Sequence, residues 1–137
     1  MSLAPPAVLA GLETALAAAF RADATLAGLV GGRIHDGPPR AGVTPYLAFG
    51  AAEARDWGSG DGDGARVRLT IETVGTDAER GRVLAVLAAA AAVLAGPPPS
   101  LDAGTAVLLR VVATTVGRVD GGRAWRAAMT VEVMVDV

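Results

Sequence analysis

Residues 105–137 read TAVLLRVVATTVGRV (105–119), DGG (120–122) and RAWRAAMTVEVMVDV (123–137). Two long runs rich in Val and Thr flank a Gly-Gly turn signal, which is the pattern of a β-hairpin. The second run alternates over its full length. Trp125, Ala127, Met129, Val131, Val133, Val135 and Val137 share one face. Arg126, Ala128, Thr130, Glu132, Met134 and Asp136 share the other, because successive strand side chains point to opposite sides. A three-residue loop, Asp120–Gly122, pairs Val119 with Arg123. It sets Val111 opposite Val131, Leu109 opposite Val133 and Val107 opposite Val135 on one apolar face. The same register sets Arg110 opposite Glu132, a favourable cross-strand pair. A two-residue loop would reverse the parity and set apolar residues against polar ones.

Working outward, Arg66–Thr73 alternates in the same way. Val67, Leu69, Ile71 and Thr73 face one side; Arg66, Arg68, Thr70 and Glu72 face the other. Thr76-Asp77-Ala78-Glu79 is a capping-box pattern that opens a helix. Leu84, Leu87, Ala91 and Leu94 form its expected stripe, and Gly96 with Pro97, Pro98 and Pro99 stops it. Upstream, Pro45–Gly50 reads as a strand and Arg33–Asp36 as a short one. A first helix follows Pro5 and Pro6, with Val8, Leu12, Leu16 and Phe20 on one stripe. Asp23–Val30 continues as a short helical or turn segment. The order is α-β-β-β-α-β-β. It predicts an α+β fold, an antiparallel or mixed sheet with two main helices packed on it.

The 137 residues suit one domain, 1–137. Apolar residues make up 52% and aromatics only 4%, so Ala, Val and Leu must build the core. Residues 56–64 (DWGSGDGDG) have too few side chains to pack and read as a flexible internal loop.

Several function classes fall away. Twelve basic residues, all Arg, meet fourteen acidic ones, for a net charge of −2. A generic nucleic-acid binder needs a basic excess. The complete absence of Lys, Asn and Gln is a codon effect of a GC-rich genome and carries no functional signal. No Cys is present, so disulfides, thiolate metal sites and thiol chemistry are excluded. The longest apolar run, Val83–Ala95, has 13 residues, short of the roughly 20 a membrane span needs. The N-terminus lacks a basic stretch, so no signal peptide is expected.

Gly60, Gly62 and the residues after them imitate a dinucleotide fingerprint, but a strand follows where a helix should receive the pyrophosphate. Asp61, Asp63 and Glu72 imitate a calcium loop. Ala65 and Arg66 then stand where an oxygen ligand and a turn Gly belong. His35 is the lone histidine and reads as a hydrogen-bonded structural or interface residue rather than a catalytic one. No serine has nucleophile-elbow spacing, and Glu13, Glu53, Glu72 and Glu132 are scattered. The sequence therefore points to no enzyme, no catalytic residues, no cofactor and no metal.

Interaction residues are the better candidates. Trp57 sits in the polar loop, either folded back or held by a partner, and Trp and Arg are enriched at interfaces. Arg55, Asp56, Asp61, Asp63 and Arg66 accompany it. Ile34 marks a short strand at which an exposed sheet edge invites pairing.

The segment LAGLVGGRIHDG (26–37), then Pro45-Tyr46-Leu47, then Asp56-Trp57, then the capped Ala-rich helix and the closing hairpin with Trp125, resembles a phage family. It is similar to the tail-completion or tail-terminator proteins of long, non-contractile-tailed phages and of gene transfer agents. Where that family carries a Trp-Ser pair after the third strand, this chain has Val74-Gly75. The resemblance implies a structural protein forming a ring, usually a homo-hexamer. The ring would end the tube built by the major tail tube protein, meet the head–tail connector protein and let DNA pass without specific binding. Assembly in the host cytoplasm and residence at the head–tail junction of the particle are implied, with no membrane partner. The competing reading is a small cytosolic α+β domain that binds a ligand or dimerises.

Overall fold

In the first helix, apolar side chains recur every four residues, and Val8, Leu12, Leu16 and Phe20 are all buried in the fold. The computed structural model describes residues 5–37, 43–56, 64–101 and 104–136. Helix α1 spans Pro5–Ala22 and α2 spans Ala24–Val30. Asp23 caps α2 by accepting the Leu26 N–H at 3.0 Å. Gly31 ends α2 in the left-handed region at φ 59°, where a side chain would be strained.

Six strands follow: β1 (Ile34–His35), β2 (Tyr46–Asp56), β3 (Gly64–Thr76), β4 (Ser100–Leu101), β5 (Gly104–Val119) and β6 (Ala124–Asp136). They form one sheet in the order β1-β2-β3-β6-β5-β4. Among the described residues only β1 and β2 pair in parallel; the other pairings are antiparallel. The fold is α+β, with helix α3 (Arg80–Leu94) between β3 and β4. The helices cover the face carrying Val67, Leu69, Ile71 and Thr73 of β3 and the odd-numbered residues of β6. Among the described residues no helix lies over the opposite face.

The capping box is present: the Glu79 carboxylate accepts the Thr76 N–H at 2.8 Å. Just before it, a Cβ at Gly75 would lie 2.6 Å from the Val83 side chain, so only glycine allows α3 to sit this close to β3. The core stripe of α3 differs from the expected one. Val83, Val86, Leu87, Ala90 and Leu94 are buried, whereas Leu84 and Ala91 sit half-buried on its flank. With alanine on every side of the helix, spacing alone sets the phase poorly, and the close approach at Gly75 decides it.

The hairpin register holds at its centre. Arg110 pairs with Glu132, Val111 with Val131 and Leu109 with Val133. Its ends are corrected by irregularities at Val107 and Val112. Val119 pairs with Ala124 rather than Arg123, and Ala106 rather than Val107 faces Val135. The turn therefore spans Asp120–Arg123, with Gly121 and Gly122 at φ 64° and 86°. The extra turn residue is absorbed by the bulge at Val112, so the central pairs keep their partners. Strand β2 runs to Asp56 and β3 starts at Gly64, both longer than their sequence patterns.

Candidate functional site

The uncovered face of the sheet is organised by cross-strand rows. Glu53 pairs with Arg68, Arg68 with Glu132, and Glu132 with Arg110, so one row runs acid, base, acid, base across β2, β3, β6 and β5. Alternating signs are what side-by-side pairs favour. Glu132 accepts from Arg110 at 2.9 Å and from Arg68 at 3.3 Å. The Arg110 hydrogen bond, joined by Arg68 and opposed by partial desolvation, holds its carboxyl below the ordinary range. The next row is Arg55, Arg66, Met134 and Leu108. Here two guanidinium groups stand directly opposite each other. Arg55 is relieved by an ion pair with Glu53, whereas Arg66 has no ion pair among the described residues. Glu53, Arg55, Arg66, Arg68 and Glu132 line a shallow depression of about 290 Å³.

Further along the same face the chemistry changes. Glu72 is only 4% exposed although its strand pattern points it outward. Arg126 donates to it from Nε at 3.0 Å and again through its terminal nitrogen. A Cβ at Gly50 would come within 3.2 Å of the Glu72 carboxylate, which shows how closely β2 approaches there. Tyr46 beside it is buried, and desolvation with the nearby Glu72 charge pushes its phenol up, against the opposing pull of Arg126. Glu72 is thus committed to Arg126 in the middle of a strand, not to a loop that could coordinate calcium.

At the hairpin end, two guanidinium groups lie over the Trp125 ring, Arg118 at 4.4 Å and Arg80 at 5.1 Å from its centre. Its indole N–H donates to the Asp77 carbonyl at 3.0 Å. Arg118 also pairs with the Asp77 carboxylate and donates to the Gly122 carbonyl at 3.0 Å. The arrangement ties the turn to the start of α3.

Of the interaction candidates, the structure brings Arg55, Asp56 and Arg66 together at the β2–β3 end: Arg55 faces Arg66 and Asp56 faces Ala65. Trp57, Asp61 and Asp63 lie outside the described residues. Ile34 is elsewhere. It pairs with Leu47, roughly 26 Å along β2 from Arg55 at a strand's rise per residue. Its side chain is buried, and its carbonyl accepts from Arg21 at 3.1 Å. Glu53 and Arg68 complete the charged row but were not among the candidates. The alternation around Arg68 contained the signal; the continuation of β2 past Gly50 did not. Among the described residues no cluster of three His, Asp or Glu side chains could hold a metal ion. No helix is long and apolar enough to cross a membrane among those residues.

Among the described residues, the sheet carries its helices on one side and rows of paired charges on the other. The family described as "Tail completion protein gp17" matches residues 14–136, and the chain belongs to that family of structural phage tail proteins. It is also similar to a chain of the solved virion of a native gene transfer agent (GTA) particle, with a TM-score of 0.87 and 27% identity. That likeness covers 95% of this chain and 98% of the other. No curated protein is similar enough to match.

Proposed function

We propose that this chain is a tail-terminator subunit of a phage or gene-transfer-agent particle. It forms a ring, a homo-hexamer, at the head-proximal end of the tail tube. The ring stops tube growth, offers its other side to the head–tail connector protein and leaves a lumen through which DNA passes. The end-to-end likeness to one chain of a gene transfer agent virion carries this reading. It covers 95% of this chain, which supports a shared architecture beyond any one motif. Mild net acidity suits a passage that DNA must cross without sticking. Assembly takes place in the host cytoplasm before the chain becomes part of the particle. A ligand-binding domain would use an enclosed, mainly apolar pocket. The depression described here is open and lined by charges.

Within this reading, Arg55, Asp56, Trp57, Asp61, Asp63 and Arg66 contact the tube or the connector, and the short strand at Ile34 lies near a subunit boundary. Two measurements test it. Gold or epitope labelling of assembled particles should find the chain only at the head-proximal tail end; signal along the tube or at the distal tip sinks the terminator role. Trp57→Ala should leave the isolated subunit's unfolding midpoint nearly unchanged while lowering the yield of joined particles. Unfolding of the isolated variant would make Trp57 a core residue instead.

A further inference from the structure

The sheet has two open edges of opposite character. At one end β1 covers β2 only at Leu47 and Ala48, which leaves the outer edge of Gly50–Asp56 without a neighbouring strand among the described residues. At the other, β4 covers β5 only at Gly104 and Thr105, which leaves the edge from Ala106 to Val119 likewise. The β5 edge is apolar: Val107, Leu108, Val111 and Val112 are 55%, 45%, 38% and 39% exposed. Long edges that expose apolar side chains are templates for another strand.

We infer that copies of this chain join head to tail, the β5 edge of one subunit pairing antiparallel with the β2 edge of the next, with Arg110 opposite the neighbour's Glu53. The inference deepens the ring reading and rests on it.

Three observations select this occupant. First is charge. The row across the open face begins with Glu53 at one edge and ends with Arg110 at the other. Head-to-tail contact continues the alternation into the next copy. Back-to-back contact centred on this row would set Arg110 against Arg110, or Glu53 against Glu53. Second is direction and phase. Strands β2, β3, β6 and β5 alternate in direction, so β5 meets the next β2 antiparallel when all copies point the same way. The pattern of hydrogen-bonded and non-hydrogen-bonded pairs also alternates at each step, and across four strands its two ends match. Side-chain parity agrees: Val111 would lie beside Ala52, and both belong to the helix-covered side of their strands. Third is fit. In this register Gly50–Asp56 lies along Val107–Ala113, between β4 at one end and the neighbour's β1 at the other, so the short capping strands do not collide. A contact between two different edges is heterologous, the type that generates rings, and strand addition supplies main-chain hydrogen bonds with it.

The absence of cysteine makes a direct test available. Particles are assembled with a chain carrying both Glu53→Cys and Arg110→Cys, mildly oxidised and run on a non-reducing denaturing gel. Within one subunit the two positions are three strand spacings apart, about 14 Å, too far for a disulfide, which needs Cα atoms within about 7 Å. Every crosslink is therefore between subunits. The double variant should give a ladder of multimers, and either single variant none. The pair Ala52→Cys with Val111→Cys leaves the charged row intact and should give the same ladder, which guards against misfolding of the first variant. Dimers from Arg110→Cys alone would mean back-to-back pairing and overturn the inference. Chain located at the head-proximal tail end with no ladder from either pair overturns the edge contact and leaves the terminator reading standing. Chain located along the tube overturns that reading, while a ladder there would still support the contact.

Discussion

Strands β6 and β5 belong to one hairpin, are both rich in valine, and have opposite fates. In β6 every second residue from Ala127 to Val135 is buried, and the residues between are half-buried. In β5, Val107 to Thr115 are exposed except for half-buried Leu109. The difference is position. Strand β6 lies between β3 and β5 with helix α3 over one face; β5 lies next to the edge, with most of its outer side unpaired among the described residues. Hydrophobic residues in the first case report the core of one subunit. In the second they report a surface waiting for another strand. Composition cannot separate the two, because both strands need β-branched side chains to stay extended.

The largest effect should come from breaking the central strand. Met129 is 1% exposed and sits inside the core. Met129→Ala should cost about 2–5 kcal/mol through lost contacts and the cavity left behind. Urea unfolding of the isolated subunit would show it as a lower midpoint with an unchanged slope. A cost under about 1 kcal/mol would mean that the centre relaxes like an edge, and the contrast between the strands would fail.

That contrast also marks how far the sequence could be read. The stripe of α1, the capping box at Thr76 and the pairing of Arg110 with Glu132 were legible because each is set by neighbours in sequence or by a strict period of two. The bulges at Val107 and Val112 were not. A bulge adds one residue, and here that residue is a valine like those around it. The burial of Glu72 was also hidden, since it depends on Arg126 more than 50 residues away and on the close approach at Gly50. The charged row needed the full length of β2, whose second half is Ala-rich and carries no strand signal.

A smaller effect should sharpen why the centre is covered. Helix α3 is tied to β3 by the capping box just before its first turn, where Glu79 accepts the Thr76 N–H and also receives the Thr44 hydroxyl at 3.1 Å. Glu79→Ala should cost about 1 kcal/mol, the usual loss for a cap. The backbone hydrogen bond from Thr76 is the main reason the Glu79 carboxyl lies below its ordinary 4.5. A lowered folded-state pKa stabilises the fold above the unfolded value and loses that contribution as pH falls through the folded one. The gap between wild type and Glu79→Ala should therefore be full at neutral pH and close below about pH 4.5. Thermal melts from pH 7 to 3 would show this; a gap that widens on acidification would mean the carboxylate acts against the cap.

The smallest effect on the isolated subunit belongs to the edge. Val112 sits at a bulge, is 39% exposed, and has no strand beyond it among the described residues. Val112→Thr keeps the β-branched shape that holds the strand extended and trades one methyl for a hydroxyl that water can solvate. Away from buried features such changes usually stay within about 0.5 kcal/mol. Urea unfolding of the monomeric subunit should therefore superimpose on wild type. The same substitution places a hydroxyl where a neighbouring strand would exclude water, so its cost should emerge only on assembly, as fewer joined particles per unit of folded protein. Each half of the measurement bears on the comparison. Loss of monomer stability would mean that β5 is core after all. Intact stability with undiminished assembly would mean that the apolar edge at Val112 is not where copies meet.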